Sequence, residues 1–337
     1  MATSASRSIP NEENQSPESL LTLPIDKSWG ASYCQYQGFW FPEKELESLK
    51  SFQQYFQAHN SDIILATVPR SGTIWLKSLV FAIVNRARYS LSQHPLLTNA
   101  PHQLVPFLEM MVHENDTLPD FTTYTSPRIF GTHVPYASLP NTIKDSDCKL
   151  VYLCRNPRDN FISLWQFINK MAKTNPISLE EAFDLFCGGV SLGGPFWDQV
   201  LGFWKASLEN PKKVLFLTYE EMKKDTTSVV KKLAEFLGFP FTQEEEFRGV
   251  VDGILKLCSF EHMKKLDFNN QIGLLNFPME ILLRKGDVGD WMNYFTPSMI
   301  EQLDRVIAEK LQGSGLEFQY HLIQFFNHVD LYHFRFV

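Results

Sequence analysis

The segment Pro69–Trp75, PRSGTIW, follows a β-branched run and opens an apolar helical pattern. A strand feeding a short turn and then a helix aims backbone N–H groups at an anion. Ser71, Gly72 and Thr73 stand where N–H groups and hydroxyls can wrap an oxygen anion, and Arg70 adds a charge-assisted fork. The same residues also suit a plain strand–helix turn in which Ser71 or Thr73 caps the helix. A nucleoside-triphosphatase loop requires G-x-x-x-x-G-K-[ST], which the chain lacks, and Lys77 lies too far inside the helix to replace that lysine.

Three more segments carry reactive residue types. In RIFGTHVPYASLP, Arg128–Pro140, His133 directly follows a strand pattern. A neutral imidazole there can take a proton from a hydroxyl, because its ordinary pKa lies near 6.5. In VYLCRNPRDNFISLWQF, Val151–Phe167, Arg155 ends an apolar run and Ser163 lies along the next helix. The two share a phosphate only if strand end and helix face converge; otherwise they are a strand-end cation and a solvated serine. Arg158 and Asp159 are expected to form a surface pair of little energetic weight. In LLRKGDVGDWMNYFTP, Leu282–Pro297, Arg284 and Lys285 precede Gly286, which suits an anion clamp or a solvated basic turn. A formal G-x-S-x-G match at Gly189–Gly193 follows a helical segment rather than a strand, so it reads as a mobile loop and not a hydrolase elbow.

These residues need a scaffold. Strand patterns fall at Asp62–Val68, Arg128–Thr132, Lys149–Arg155 and Val214–Tyr219, and helical patterns at Thr73–Ala87, after Asn156-Pro157, and over Glu220–Leu237 with Gly238 as its cap. Strands alternating with helices predict an α/β single domain, a central parallel β-sheet flanked by helices on both faces. Ligands in such sheets bind beyond the carboxyl ends of the strands. The Arg70 turn, His133, Arg155 and Tyr219 all fall at such ends. The organisation predicted is a disordered arm over 1–20, one domain over 21–320 and an atypical tail over 321–337.

Net charge of −7 argues against an extended nucleic-acid face, though not against a local anion pocket. Five scattered cysteines without a C-x-x-C pair give neither a zinc site nor a disulfide framework and suit a reducing compartment. The first 20 residues lack an apolar signal core, and no run approaches the roughly 18 apolar residues of a membrane span. A cytoplasmic protein is expected, with the sequons at Asn14 and Asn115 as chance matches.

In this order PRSGTIW, GTHVP, YLCRNPRDNFIS, YEEM and RKGDVGDW resemble the signatures of the cytosolic sulfotransferases, the plant branch in particular. GPFWDQVLGFW and LVPFLE add to the likeness, which runs from about Gly38 to Phe318. The resemblance implies a P-loop-like fold and 3′-phosphoadenosine 5′-phosphosulfate (PAPS) as sulfuryl donor, with no metal. Carried over by residue, Arg70, Ser71, Gly72, Thr73, Ile74 and Trp75 hold the 5′-phosphosulfate, with Trp75 stacked on adenine. Arg155 and Ser163 hold the 3′-phosphate, Arg284, Lys285 and Gly286 close on it, and Tyr219 lies near the adenine. His133 becomes the general base, and the loop supplies charge to the leaving oxygen.

The implied partner is a small apolar or phenolic hydroxyl acceptor such as a flavonol, brassinosteroid, hydroxyjasmonate or desulfoglucosinolate. Trp40, Phe107 and Phe167 are candidate contacts to it, among 28 phenylalanines. Three departures stand out: Arg70 replaces the family's loop lysine, Ile74 its second threonine, and Gly131 the lysine that animal members often carry two residues before the histidine. Arginine is not equivalent to a point ammonium, so PAPS binding with slower transfer is expected, the alternative being a nucleotide-binding homologue with weak or no turnover. The animal dimer motif aligns on Met292, Thr296, Pro297 and Glu301 with Met292 and Pro297 departing from it, which implies a monomer or a weak homodimer. A kinase-like phosphotransferase would need a Gly-Lys-Ser/Thr loop and a metal-binding Asp at a strand end; neither is seen.

Overall fold

Every residue of strand β4, Ile63–Thr67, is buried, because helices cover both faces of the sheet that it centres. The computed structural model describes residues 23–111, 124–172, 176–266 and 279–320; the predicted arm, the predicted tail and both sequons lie outside them. Four parallel strands form the main sheet in the order β5-β4-β6-β7, with β5 at Ile129–Thr132, β6 at Lys149–Cys154 and β7 at Val214–Thr218. Alternate residues divide between two cores, as the two-residue period of a strand requires. Ile64, Ala66, Leu150 and Tyr152 join one apolar cluster; Ile63, Leu65, Val151 and Leu153 join the other.

The order reverses at β4, since the chain passes to β5 on one side and then to β6 on the other. A crevice therefore opens beyond the carboxyl ends of these strands, the usual ligand position in such sheets. Into it feed the turn before helix α2 (Thr73–Asn85) and the junction of β6 with helix α3 (Pro157–Met171); helix α1 (Leu46–Tyr55) precedes β4. Asn156 caps α3 by accepting from the Asp159 N–H, with Pro157 as its first residue.

Two elements differ from the sequence expectation. The helix expected over Glu220–Leu237 is two helices, Tyr219–Lys224 and Thr226–Phe236, broken at Asp225. Thr218 and Glu221 form a capping box on the first, and the Asp225 carboxylate accepts from the Ser228 N–H to start the second. An antiparallel meander of β1 (Ile25–Asp26), β2 (Tyr33–Tyr36) and β3 (Phe39–Pro42) was not expected. Its tight β2–β3 turn places Gln37 and Gly38 at positive φ, 52° and 84°.

The glycine-rich segment read as a mobile loop is held against this meander. Trp40 N–H donates to Gly194 O (2.8 Å), Gly193 N–H to Trp40 O (2.9 Å), and Trp29 Nε1 to Val190 O (2.8 Å). Ser191 is buried, with no strand before it to present it as a nucleophile. Later in the chain, the Thr296 hydroxyl accepts from the Met299 N–H and so caps the helix Pro297–Lys310. Among the described residues no helix is long and apolar enough to cross a membrane.

Candidate active site

The crevice is one cavity of about 1130 Å³. It is lined by Pro69, Arg70 and the first residues of α2, by His133, Arg155, Ser163 and Tyr219, and by Leu282–Gly286. The loop between β4 and α2 is tight: Arg70 sits at φ 71° and Gly72 at φ 103°. A Cβ on Gly72 would lie 2.8 Å from Tyr219 Cδ2, so both the conformation and the close approach require glycine. No side chain caps α2, which leaves its first N–H groups to meet an anion. Thr73 Oγ1 lies 2.8 Å from Thr67 Oγ1, inside the turn.

Ser71 departs from its expected place. Its hydroxyl is fully buried and accepts from Asn160 Nδ2 (3.1 Å), which also donates to Pro69 O (2.9 Å). Ser71 thus pins the loop to α3 and does not line the cavity. Sequence reasoning missed Asn160, whose partners lie 89 and 91 residues away along the chain.

Arg70 turns towards α3 and the Leu282 segment. Nε donates to Ser163 Oγ (3.3 Å), Nη2 to Leu282 O (3.2 Å), and the guanidinium lies 4.6 Å from the Phe167 ring centre. Burial, then the charges of Arg155 and Arg284, lower its pKa to about 10. Arg155 stacks 4.7 Å over Tyr219 and donates to Asp287 O. Arg284 and Lys285 both pair with the Asp290 carboxylate, at 2.5 and 2.6 Å. Tyr219 OH donates to Gly286 O (2.8 Å), and its ring meets Trp75 edge-on at 5.6 Å. Arg155 Nε and Arg284 Nε are buried without hydrogen-bond partners. Three converging guanidinium groups, two of them with orphaned donors, are a site that an anion would complete.

The pair expected on the surface is buried. Asp159, 1% exposed, accepts from Gly289 N–H (2.7 Å), Trp291 N–H (3.0 Å) and Asn156 Nδ2 (2.9 Å), and lies 3.6 Å from Arg155 Nη2. Arg158 reaches Asp304 and stacks on Trp291 and Tyr320. The reason is the 284–291 segment, which folds across the start of α3 and covers both residues. Asp159 therefore anchors the backbone that carries Arg284, Lys285 and Gly286.

On the other side of the cavity His133 follows β5. Its Nδ1 lies 2.8 Å from Thr67 O, and since a carbonyl only accepts, Nδ1 carries the proton and Nε2 is the free base. The backbone is fixed as well: His133 N–H donates to Glu109 Oε1 (2.7 Å), and Gln199 Nε2 donates to His133 O (2.7 Å). Burial is the main cause lowering its pKa to about 4, with the Lys77 and Arg70 charges adding to it, so the imidazole is neutral at pH 7.

Phe107 and Phe167 line the cavity and Trp40 does not. Trp40 alternates with Phe39 and Phe41 along β3, and it is Phe41 that borders the cavity. Tyr33, Glu45, His102 and Glu109 also border this side, and no sequence signal singled them out.

Residues 60–315 match the family model described as a sulfotransferase domain. The chain belongs to the sulfotransferase family. It is 48% identical over 310 residues to cytosolic sulfotransferase 15 of Arabidopsis thaliana, covering 90% of this chain and 86% of that one. The crystal structure of an Arabidopsis thaliana putative steroid sulphotransferase superposes with a TM-score of 0.72 at 41% identity, covering 94% of this chain and 100% of that one. Mouse sulfotransferase SULT7A1, complexed with PAP, gives a TM-score of 0.69 at 29% identity over 84% of this chain and 95% of that one. The parallel-sheet fold and the sulfotransferase class (EC 2.8.2) read from the sequence are borne out by these matches.

Proposed function

We propose that this sulfotransferase moves the sulfuryl group of PAPS to a hydroxyl of a small apolar or phenolic acceptor in the cytoplasm, with His133 as the general base. One observation carries the reading: an imidazole held as the Nδ1–H tautomer faces the same cavity as an uncapped helix start ringed by three arginines. The PAP complex of the mouse relative and the cytosolic names of the plant relatives point the same way. The solved plant relative's steroid label supports an apolar acceptor.

In this scheme Trp75 and Tyr219 flank the adenine. Arg155, Ser163, Arg284 and Lys285 take the 3′-phosphate beside the Gly286 backbone. Arg70, Gly72, Thr73 and Ile74 surround the 5′-phosphosulfate. His133 Nε2 accepts the acceptor's hydroxyl proton as the oxygen bonds to sulfur and the sulfur–phosphate oxygen bond breaks. Arg70 and the α2 N–H groups stabilise the charge left on that oxygen. Negative charge brought by the nucleotide raises the His133 pKa from its low value, which makes the base stronger when it is needed.

Radiolabelled PAPS offered with phenol, steroid and hydroxyjasmonate acceptors tests this. Transfer is expected for the native protein, with a fall of about 10²–10⁴-fold in His133→Ala and little change in PAP affinity. Equal loss of affinity and rate would make His133 structural. A second reading, a nucleotide binder without turnover, is favoured by the engagement of Arg70 with Ser163 and Leu282. It prevails if native protein and Arg70→Lys both bind PAP and both fail to transfer to any acceptor.

A further inference from the structure

Beneath the acceptor side lies a lysine that has no part in the transfer step. Lys77, on α2, is fully buried, and its Nζ lies 3.2 Å from the centre of the Phe107 ring. It fills the space that a side chain on residue 131 would take: a Cβ on Gly131 would stand 2.4 Å from Lys77 Cε and 2.6 Å from Nζ. Nζ also lies 3.2 Å from Nδ1 of His102, which borders the cavity. The His102 and Phe107 rings are 5.0 Å apart, and Phe107 lies 4.6 Å from His133. Lys77 thus supports a row of three rings, from His102 through Phe107 to His133.

The tautomer of His102 and the direction of its bond to Lys77 are linked. Burial and the neighbouring Lys77 charge keep its ring neutral, and a neutral imidazole carries one N–H. Burial lowers the Lys77 pKa well below its ordinary value, with the Glu109 charge opposing it, and as amine or ammonium its Nζ keeps N–H groups to offer the Phe107 face and His102 Nδ1. With Lys77 as the donor of this bond, Nδ1 accepts and the proton resides on Nε2, at the ring edge turned away from the buried lysine.

We propose that His102 is an acceptor-binding residue whose Nε2–H donates to a second oxygen of the acceptor, a carbonyl or carboxylate beyond the hydroxyl that reacts, and that Lys77 is the positioning residue that holds it. This rests on reading the His133 side of the cavity as the acceptor site. The acceptor class it selects is a hydroxylated compound with an oxygen acceptor, in preference to its hydrocarbon analogue of equal size.

The test uses binding to the full chain loaded with PAP, followed by tryptophan fluorescence or calorimetry. Two matched pairs of phenols serve as probes: 4-hydroxyacetophenone with 4-ethylphenol, and 4-(4-hydroxyphenyl)butan-2-one with 4-butylphenol. The native protein is expected to favour the ketone of at least one pair, and His102→Phe to lower that preference about 3–10-fold, the value of one ordinary hydrogen bond. His102→Asn, which keeps an N–H donor, restores part of it, and Lys77→Met weakens it with PAP affinity unchanged. No preference in the native protein, or the same preference in His102→Phe, overturns the proposal.

Should His102→Phe fail to fold, ¹⁵N–¹H correlation of the native His102 ring decides: a protonated Nε2 whose signal moves with the ketone and not with its alkyl partner supports the assignment. A proton on Nδ1, or no shift, rejects it. Ketone preference without sulfuryl transfer would sink the transferase reading alone. Transfer without preference would sink this inference alone.

Discussion

Arg70→Lys restores the ammonium that the family signature carries in the anion loop, and the structure gives the direction of two separate effects. Arg70 now ties its loop to two elements by three contacts: Nε to Ser163 (3.3 Å) and the guanidinium face to Phe167 (4.6 Å), both on α3, and Nη2 to Leu282 O (3.2 Å). Two hydrogen bonds of roughly 1 kcal/mol each and a cation–π contact of about 0.5–1 kcal/mol set the gross value of the tie. Lysine keeps its charge and can recover one of the hydrogen bonds. The nucleotide-free protein should therefore lose about 1–2 kcal/mol, a fall in Tm of a few degrees for a chain of this size. With nucleotide bound the sign reverses for catalysis, because a point ammonium no longer divides itself between Ser163, Leu282 and the reacting group. Thermal unfolding with and without PAP measures the first effect, and single-turnover transfer from radiolabelled PAPS measures the second. A variant as stable as the native protein without nucleotide, or one that transfers more slowly, would refute the view that the Ser163 and Leu282 contacts compete with the reacting oxygen for Arg70.

Asp159→Asn presents an amide where the Gly289 and Trp291 N–H groups now meet a carboxylate at 2.7 and 3.0 Å. Losing a charge-assisted hydrogen bond of about 1.5–3 kcal/mol should weaken PAP binding roughly 10–100-fold by calorimetry; an affinity within about twofold of native would show that the 284–291 segment needs no such anchor. Glu45, at the cavity wall, has its pKa raised from 4.5 to about 7 by burial and then by the Glu109 charge. The folded protein thus keeps a proton that the unfolded chain sheds above pH 4.5, so the contribution of Glu45 to stability is full below that pH and is lost as pH rises to about 7. The full shift corresponds to at most roughly 3 kcal/mol before solvent screening. Glu45→Gln should accordingly flatten the urea midpoint between pH 5 and pH 8, and an unchanged pH slope would remove Glu45 as its source.

What could be read from the sequence follows the range of the interactions involved. The four sheet strands are β-branched or apolar runs, and the site residues Arg70, His133, Arg155 and Tyr219 follow their ends, so chain order alone brought them to one crevice. The break at Asp225 was also legible, since Thr218 with Glu221 and Asp225 before Thr-Thr-Ser are local capping signals that an unbroken apolar pattern overrode. Trp40 was a one-residue error of strand face, which period-two alternation decides only once the buried side is known. Asp159 was out of reach, because its partners lie 130 and 132 residues later and nothing local distinguishes an anchored carboxylate from a solvated one. Lys77 was read correctly as too deep in its helix to serve the loop. Its contact with the space above Gly131 depends on how α2 packs on β5, which no spacing encodes.

The cradle's cations differ in how they are neutralised, and the difference bears on which responds to a ligand. Arg284 and Lys285 share Asp290, and Arg155 lies beside Asp159, so each already has a carboxylate close by. Arg70 has a hydroxyl, backbone carbonyls and an aromatic face, and among the described residues it forms no ion pair. Its depressed pKa, near 10, reflects burial first and then repulsion from Arg155 and Arg284. In the proposed site an arriving phosphosulfate would relieve that repulsion and offer Arg70 a charged partner in place of neutral ones, whereas the other three would trade one anion for another. On the proposed function the nucleotide would therefore gain most from the cation that the fold holds least electrostatically, and Arg70's release of Leu282 O would tie nucleotide binding to the segment leading into Arg284.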